Sequence, residues 1–386
     1  MSSSQFASSA ASLAVFGTAS GKALTGVLGD SLGARRVIVT FFVALSLSLL
    51  LFSQAASVFQ VGLIDGMAEF FNGAMWPSMT IILATHYTGD VTRLEAGLIV
   101  LSLASRFGAL CFMPVWASLL TIISWRQIAM INAFLALVGS AIAFYLLNDS
   151  PEKNHEPQGK PLSFKNVRNS LGDVLTRKHF WMVAFGQFSN CLVRTAERIL
   201  GSFYVDTTDV DEATAGGLTV FLAAGFLVGI FILGPIFSNC KTRIRKVILL
   251  GTLYSIATTA IILLGIISVD TATITHYMSN ATKLYLEISL SFVAAAAIGV
   301  PYYVVPTLFS ATLGENKGLG SAFIDGFAYF CSGFLWAGLG NIVKIPIYGW
   351  LYTWLVVAGI LATGGSIMTL FLHQHINCIK EFPILD

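Results

Sequence analysis

The chain has 386 residues, of which 55% are hydrophobic and 11% charged, with mean hydropathy +0.77 and a formal net charge of +2. Soluble domains carry about 25% charged residues, so this composition excludes a water-soluble globule. The basic residues are segregated by side along the chain and form no single patch, so no nucleic-acid partner is read from them.

A membrane-spanning helix needs about 20 mainly apolar residues. Eleven such segments are predicted, at 8–28, 37–57, 59–85, 95–119, 126–147, 179–205, 214–237, 247–268, 283–310, 318–341 and 349–372. The fold class is therefore all-α, a multi-pass integral membrane protein; which membrane holds it is not encoded in any motif. The opening Met1-Ser-Ser-Ser-Gln-Phe-Ala-Ser-Ser has no basic n-region and no arginine, so it reads as neither a signal nor a transit peptide. The first span carries Lys22 and runs into Gly26-Val-Leu-Gly29-Asp30-Ser-Leu-Gly33-Ala-Arg35-Arg36, a turn with one carboxylate and two guanidiniums at a membrane boundary. The third span holds Asp65, Glu69 and Asn72, and the fourth holds Arg106.

After the fifth span, 148–178 is rich in Pro, Asn and charge and reads as a linker between two bundles, 1–147 and 179–372, with a tail over 373–386. The sixth span carries Arg194, Glu197 and Arg198, and the tenth carries Asp325. Between the seventh and eighth spans, Gly234-Pro235 and the basic run Lys241–Lys246 repeat the Gly26–Arg36 signature in degraded form. Five spans before the linker and six after it suggest parallel six-helix repeats with the first of twelve helices absent. Fifteen Lys and Arg fall in the loops and tail on the side of Arg35 and Arg36, against Arg126, Lys283 and Lys344 on the other. That bias places the linker in the cytoplasm.

Charges inside a span cost about 2.5–3.5 kcal/mol each at a helix centre, so each is expected to face a cavity or a partner. On a helix wheel Glu197 lies about 60° to one side of Arg194 and Arg198 about 40° to the other. An Arg198–Glu197 pair is expected, which leaves Arg194 free at mid-depth as a substrate anchor. Four intramembrane cations against four carboxylates (Asp65, Glu69, Glu197, Asp325) equally allow a closed network of structural bridges.

The Gly26–Arg36 loop resembles the loop after the second helix of major facilitator superfamily transporters. Several stretches are similar to one branch, the organophosphate:phosphate antiporters. These are Gly21-Lys22…Gly26…Asp30, Asn72-Gly73-Ala-Met-Trp76-Pro77, Ser124-Trp125-Arg126, Asn148-Asp149-Ser150-Pro151, Pro301-Tyr302 and Gly320-Ser-Ala-Phe-Ile-Asp325-Gly326-Phe-Ala-Tyr329. The resemblance implies exchange of an organic phosphate for inorganic phosphate by alternating access, in a monomer, with no cofactor and no metal. It implies Arg194 as the substrate arginine, ten residues before Tyr204, with Lys22, Arg106, Asn72, Tyr302 and Tyr329 beside it. It implies gating and structural roles for Gly26, Asp30, Gly33, Arg35, Arg36, Asp325, Glu197 and Arg198, Lys22 meeting Asp325 between the bundles. Asp30 is expected to pair with a neighbouring loop when a gate closes. The chain departs from that branch by lacking its first-helix arginine, and by carrying Ser105-Arg106 where relatives have a histidine. Two alternatives stand beside exchange: proton-coupled carriage of another organic anion with Glu69 or Asp325 titrating, and a non-transporting sensor of the same fold.

The five cysteines are scattered without CxxC spacing and read as small packing residues. The six histidines lack metal spacing, except for His373-Gln-His375 in the tail. Asn280-Ala-Thr282 is a glycosylation sequon on the side opposite the linker. No nucleophile–base pair, P-loop or dinucleotide loop is present, which argues against an enzyme.

Overall fold

The computed structural model describes residues 3–87, 91–149, 164–240, 242–269, 278–311, 313 and 317–379. The helices of the first half are α1 (Ser3–Leu32), α2 (Ala34–Ser53), α3 (Val58–Gly73), α4 (Met75–His86), α5 (Val91–Leu119) and α6 (Trp125–Leu146). A short helix, α7 (Phe164–Leu175), precedes the second half. There α8 (Phe180–Thr195), α9 (Glu197–Thr208), α10 (Glu212–Leu218) and α11 (Val220–Val228) lead to a π-helical turn at Gly229–Leu233. The chain continues as α12 (Gly234–Asn239), α13 (Arg243–Ser268), α14 (Asn280–Ala311), α15 (Lys317–Ile342) and α16 (Gly349–Ile379). No strand occurs among the described residues.

Local chemistry sets several boundaries. Ser57 with Gln60, and Ser124 with Gln127, form reciprocal capping boxes that start α3 and α6. Gly33, at φ 87°, is the single residue between α1 and α2; a side chain there would strain the backbone.

Among the described residues, eight helical stretches are long and apolar enough to cross a membrane. The other three expected spans fall on α1, α3–α4 and α8–α9. Two of these are not continuous rods. The 59–85 segment breaks at Ala74, three residues before Pro77, which has no N–H to give the carbonyl of Gly73. The 179–205 segment breaks at Ala196, between Arg194 and Glu197. The 214–237 segment is divided by Thr219 and the π turn, next to Pro235. Two further differences concern the ends of the bundles. The 148–178 stretch contains α7, whose Val174 is buried against α8 and α15, and α16 continues through the expected tail to Ile379.

The helices form two bundles that meet most broadly along α1 and α15 and again along α5 and α11. The second bundle has one continuous apolar core, running from Val174 through Phe203, Phe226 and Trp354 to Leu372. The first has only small clusters, around Ile38 and Ile82 and around Phe41 and Ala74. Its cohesion comes instead from close backbone approach. A Cβ on Gly17 or Gly21 of α1 would collide with the carbonyl oxygens of Gly66 and Phe70 in α3. Large apolar side chains such as Leu51, Phe59, Phe134 and Leu146 point outward, as a bilayer-facing surface requires.

Candidate functional site

Between the bundles lies a cavity of about 570 Å³. The broken helices α3–α4 and α8–α9, together with α1, α5, α14 and α15, deliver its polar wall. Lys22, Asn72, Arg106, Arg194, Tyr302 and Tyr329 all line it, as do Glu197, Arg198 and Asp325. Seven of the eight charges that the sequence places inside spans (Lys22, Glu69, Arg106, Arg194, Glu197, Arg198 and Asp325) thus converge on one space, which removes the cost of facing lipid.

They pair as follows. Lys22 of α1 donates to Asp325 Oδ2 of α15 at 2.8 Å and lies 4.5 Å over the Tyr329 ring. Gln187 Nε2 donates to the other Asp325 oxygen at 3.0 Å, and the Tyr302 and Tyr329 hydroxyls share a hydrogen bond of 3.1 Å. Arg198 reaches across the bundles to Glu69 at 2.5 Å and Asp65 at 3.6 Å. Glu69 also accepts from Thr18 at 3.1 Å and from Asn72 at 3.3 Å.

Two sequence expectations are overturned here. Glu197 pairs with Arg194 and not with Arg198, so Arg194 is not free at mid-depth. Neighbouring residues point about 100° apart on a helix, whereas residues three apart meet on one face. In the cavity wall Arg106, which is 6% exposed, is a buried guanidinium with open donors. Its Nε and Nη1 have no hydrogen-bond partner among the described residues, and its Nη2 makes only a 3.4 Å contact with Ser105. Glu197 Oε2 lies 3.9 Å from Arg106 Nη1, near enough for charge attraction but too far for a hydrogen bond.

The described loop residues Gly26, Gly33, Arg35 and Arg36 do not line the cavity. Arg35 is tied to the end of α6: its backbone N–H donates to Asp149 at 2.7 Å, and its guanidinium donates to the Phe144 carbonyl and lies 5.0 Å over the Phe144 ring. Gly26 and Gly33 are buried and Arg36 is exposed. The Asp30 side chain lies outside the described residues, as do residues 150–163 of the linker.

Sequence reasoning missed several contributors. Thr18, Gln187, Trp76 and Tyr303 line the cavity, with the Trp76 and Tyr303 rings 5.8 Å apart across the bundles. Glu287 of α14, fully buried away from the cavity, accepts from Thr207 at 3.0 Å through one oxygen, and its other oxygen has no hydrogen-bond partner among the described residues. It stands inside the expected 283–310 span, so the charge was there to be counted. Its partner, 80 residues earlier on α9, was not. Among the described residues no group of His, Cys, Asp and Glu side chains assembles as a metal site.

Solved structures with the same architecture are transporters. The chain aligns over 95% of its length with 91% of an aspartate-to-alanine mutant of the nucleoside transporter NupG, at TM-score 0.65 and 15% identity. It aligns over 94% with 83% of the human organic anion transporter MFSD10 (TETRAN), at TM-score 0.60 and 13% identity. A bacterial homologue of the human lysosomal transporter Spinster, in an inward-facing and occupied conformation, aligns at TM-score 0.56 and 14% identity. That alignment covers 97% of this chain and 95% of the homologue. These identities speak to the fold alone. No curated protein sequence matches the chain. The sequence model of the Major Facilitator Superfamily matches residues 1–336. A family match over most of the chain, with apolar helices gathered around a charged central cavity, places this protein in the major facilitator superfamily of membrane transporters.

Proposed function

We propose that this transporter moves a small organic phosphate across its membrane in exchange for inorganic phosphate, by alternating access of the central cavity. The observation that carries the reading is Arg106, a buried guanidinium with two donor atoms that meet no hydrogen-bond acceptor among the described residues. A planar fork with open donors matches an oxyanion bidentately and stays protonated at any working pH. Arg194, on the facing bundle, supplies a second cation once the anion competes with Glu197 for it. Lys22, Tyr302 and Tyr329 then form the wall against which the organic part rests. Arg198 with Glu69 and Asp65, and Lys22 with Asp325, join the two bundles. These pairs must open and close as access alternates, and a substrate drives the change only through unequal affinity for the two states.

Proton-coupled carriage of an organic anion is the second reading. It is favoured by the same cross-bundle carboxylates, since protonating Glu69 or Asp325 would release its cation. MFSD10 is described as an organic anion transporter, which agrees with either form of the proposal. Purified protein in proteoliposomes separates the readings. Exchange of labelled phosphate that is indifferent to a pH gradient supports the first. Uptake that a pH gradient drives supports the second. Binding without movement, as in a sensor, would refute both.

A further inference from the structure

We infer that Glu197 is a built-in counter-ion that lets the empty carrier reorient, so that this protein can move its anion in one net direction and is not confined to exchange. The inference rests on the anion-carrier reading above. Lys22 is balanced by Asp325, and Arg198 by Glu69 and Asp65. That leaves two cations, Arg106 on α5 and Arg194 on α8, and one carboxylate between them. Glu197 holds Arg194 directly and stands 3.9 Å from Arg106 Nη1, across the gap between the bundles.

Two guanidiniums facing each other over a low-dielectric cavity repel strongly. A carrier built that way closes around a bound anion but resists closing when empty, and it must then exchange one anion for another. Glu197 changes this balance. It draws Arg106 and Arg194 together in the empty protein, as the anion does in the loaded one. The set still carries a residual positive charge, because two cations share one carboxylate, so an incoming oxyanion is attracted. The geometry is also unfinished in the right place. Among the described residues Arg106 Nε and Nη1 still lack hydrogen-bond partners, so an anion gains contacts there that Glu197 does not make.

The test uses the full chain in proteoliposomes with the membrane potential clamped and radiolabelled inorganic phosphate outside. Vesicles either contain unlabelled phosphate or contain none. The inference expects label to enter both. Entry only into phosphate-loaded vesicles would overturn it while leaving the anion-carrier reading intact. Entry into neither would overturn both. Glu197→Gln is expected to lower the ratio of net uptake to exchange about tenfold, because the repulsion returns only in the empty state. Glu197→Asp, which keeps the charge, is expected to restore much of that ratio. An unchanged ratio in Glu197→Gln would also refute the role. Should that variant fail to fold, the comparison of loaded and unloaded wild-type vesicles decides alone.

Discussion

The Lys22–Asp325 pair offers the sharpest test of how the two bundles are held together. The groups meet at 2.8 Å with side-chain exposures of 8% and 11%. At that separation, and at an effective dielectric of about 20, their attraction is about 6 kcal/mol before desolvation is charged against it. Removing one partner leaves the other buried and uncompensated, at about 3–5 kcal/mol. For Lys22→Met the loss falls toward the lower end, because Gln187 still donates to Asp325 at 3.0 Å. Asp325→Asn removes the counter-charge and leaves the ammonium with at most an amide oxygen to accept from it, beside the Tyr329 face. The double variant removes both charges together and is expected to cost about 1 kcal/mol or less beyond the milder single change. Reversible unfolding in mixed micelles, followed by tryptophan fluorescence, gives all four corners of the cycle. Additive costs, with the double variant as unstable as the two single losses combined, would show that the ion pair does not couple α1 to α15.

Other outcomes follow from the same geometry. Arg106→Lys should weaken phosphate binding by about tenfold or more, since a point charge does not reproduce the fork; isothermal titration showing unchanged affinity would remove Arg106 from the site. Gly21→Ala places a methyl against the Phe70 carbonyl and should destabilise the α1–α3 crossing by about 1–3 kcal/mol, read as lost monodisperse yield in detergent. Arg198→Gln strands Glu69 and Asp65 at a partly solvated site, at about 1–2 kcal/mol, and adding Glu69→Gln should recover part of it; no recovery in thermal unfolding would mean that the cross-bundle contact is incidental.

The sequence by itself determined what depends on one segment at a time. A helix of about 20 apolar residues satisfies its own backbone wherever it sits, so the helical segments were readable from composition alone. Short-range spacing also revealed that Lys22, Arg106, Arg194 and Asp325 needed a cavity or a partner. Partner choice was a different matter. Glu197 meets Arg194 because residues three apart share a helix face, while Arg198 finds Glu69 and Asp65 because its side chain reaches from α9 across the bundle interface to α3. Sequence distance carries no information about that crossing. The same holds for Glu287, whose buried contact comes from Thr207 on a helix that pairs with it only in the folded bundle. Pro77 marks the break at Ala74 in the sequence itself, whereas the break at Ala196 was hidden, because apolarity is blind to where a helix stops and restarts. Which guanidinium lacks an acceptor is a property of the whole assembly, since every neighbouring carboxylate must first be assigned. Only the tertiary structure could make that assignment, and it left the open donors on Arg106.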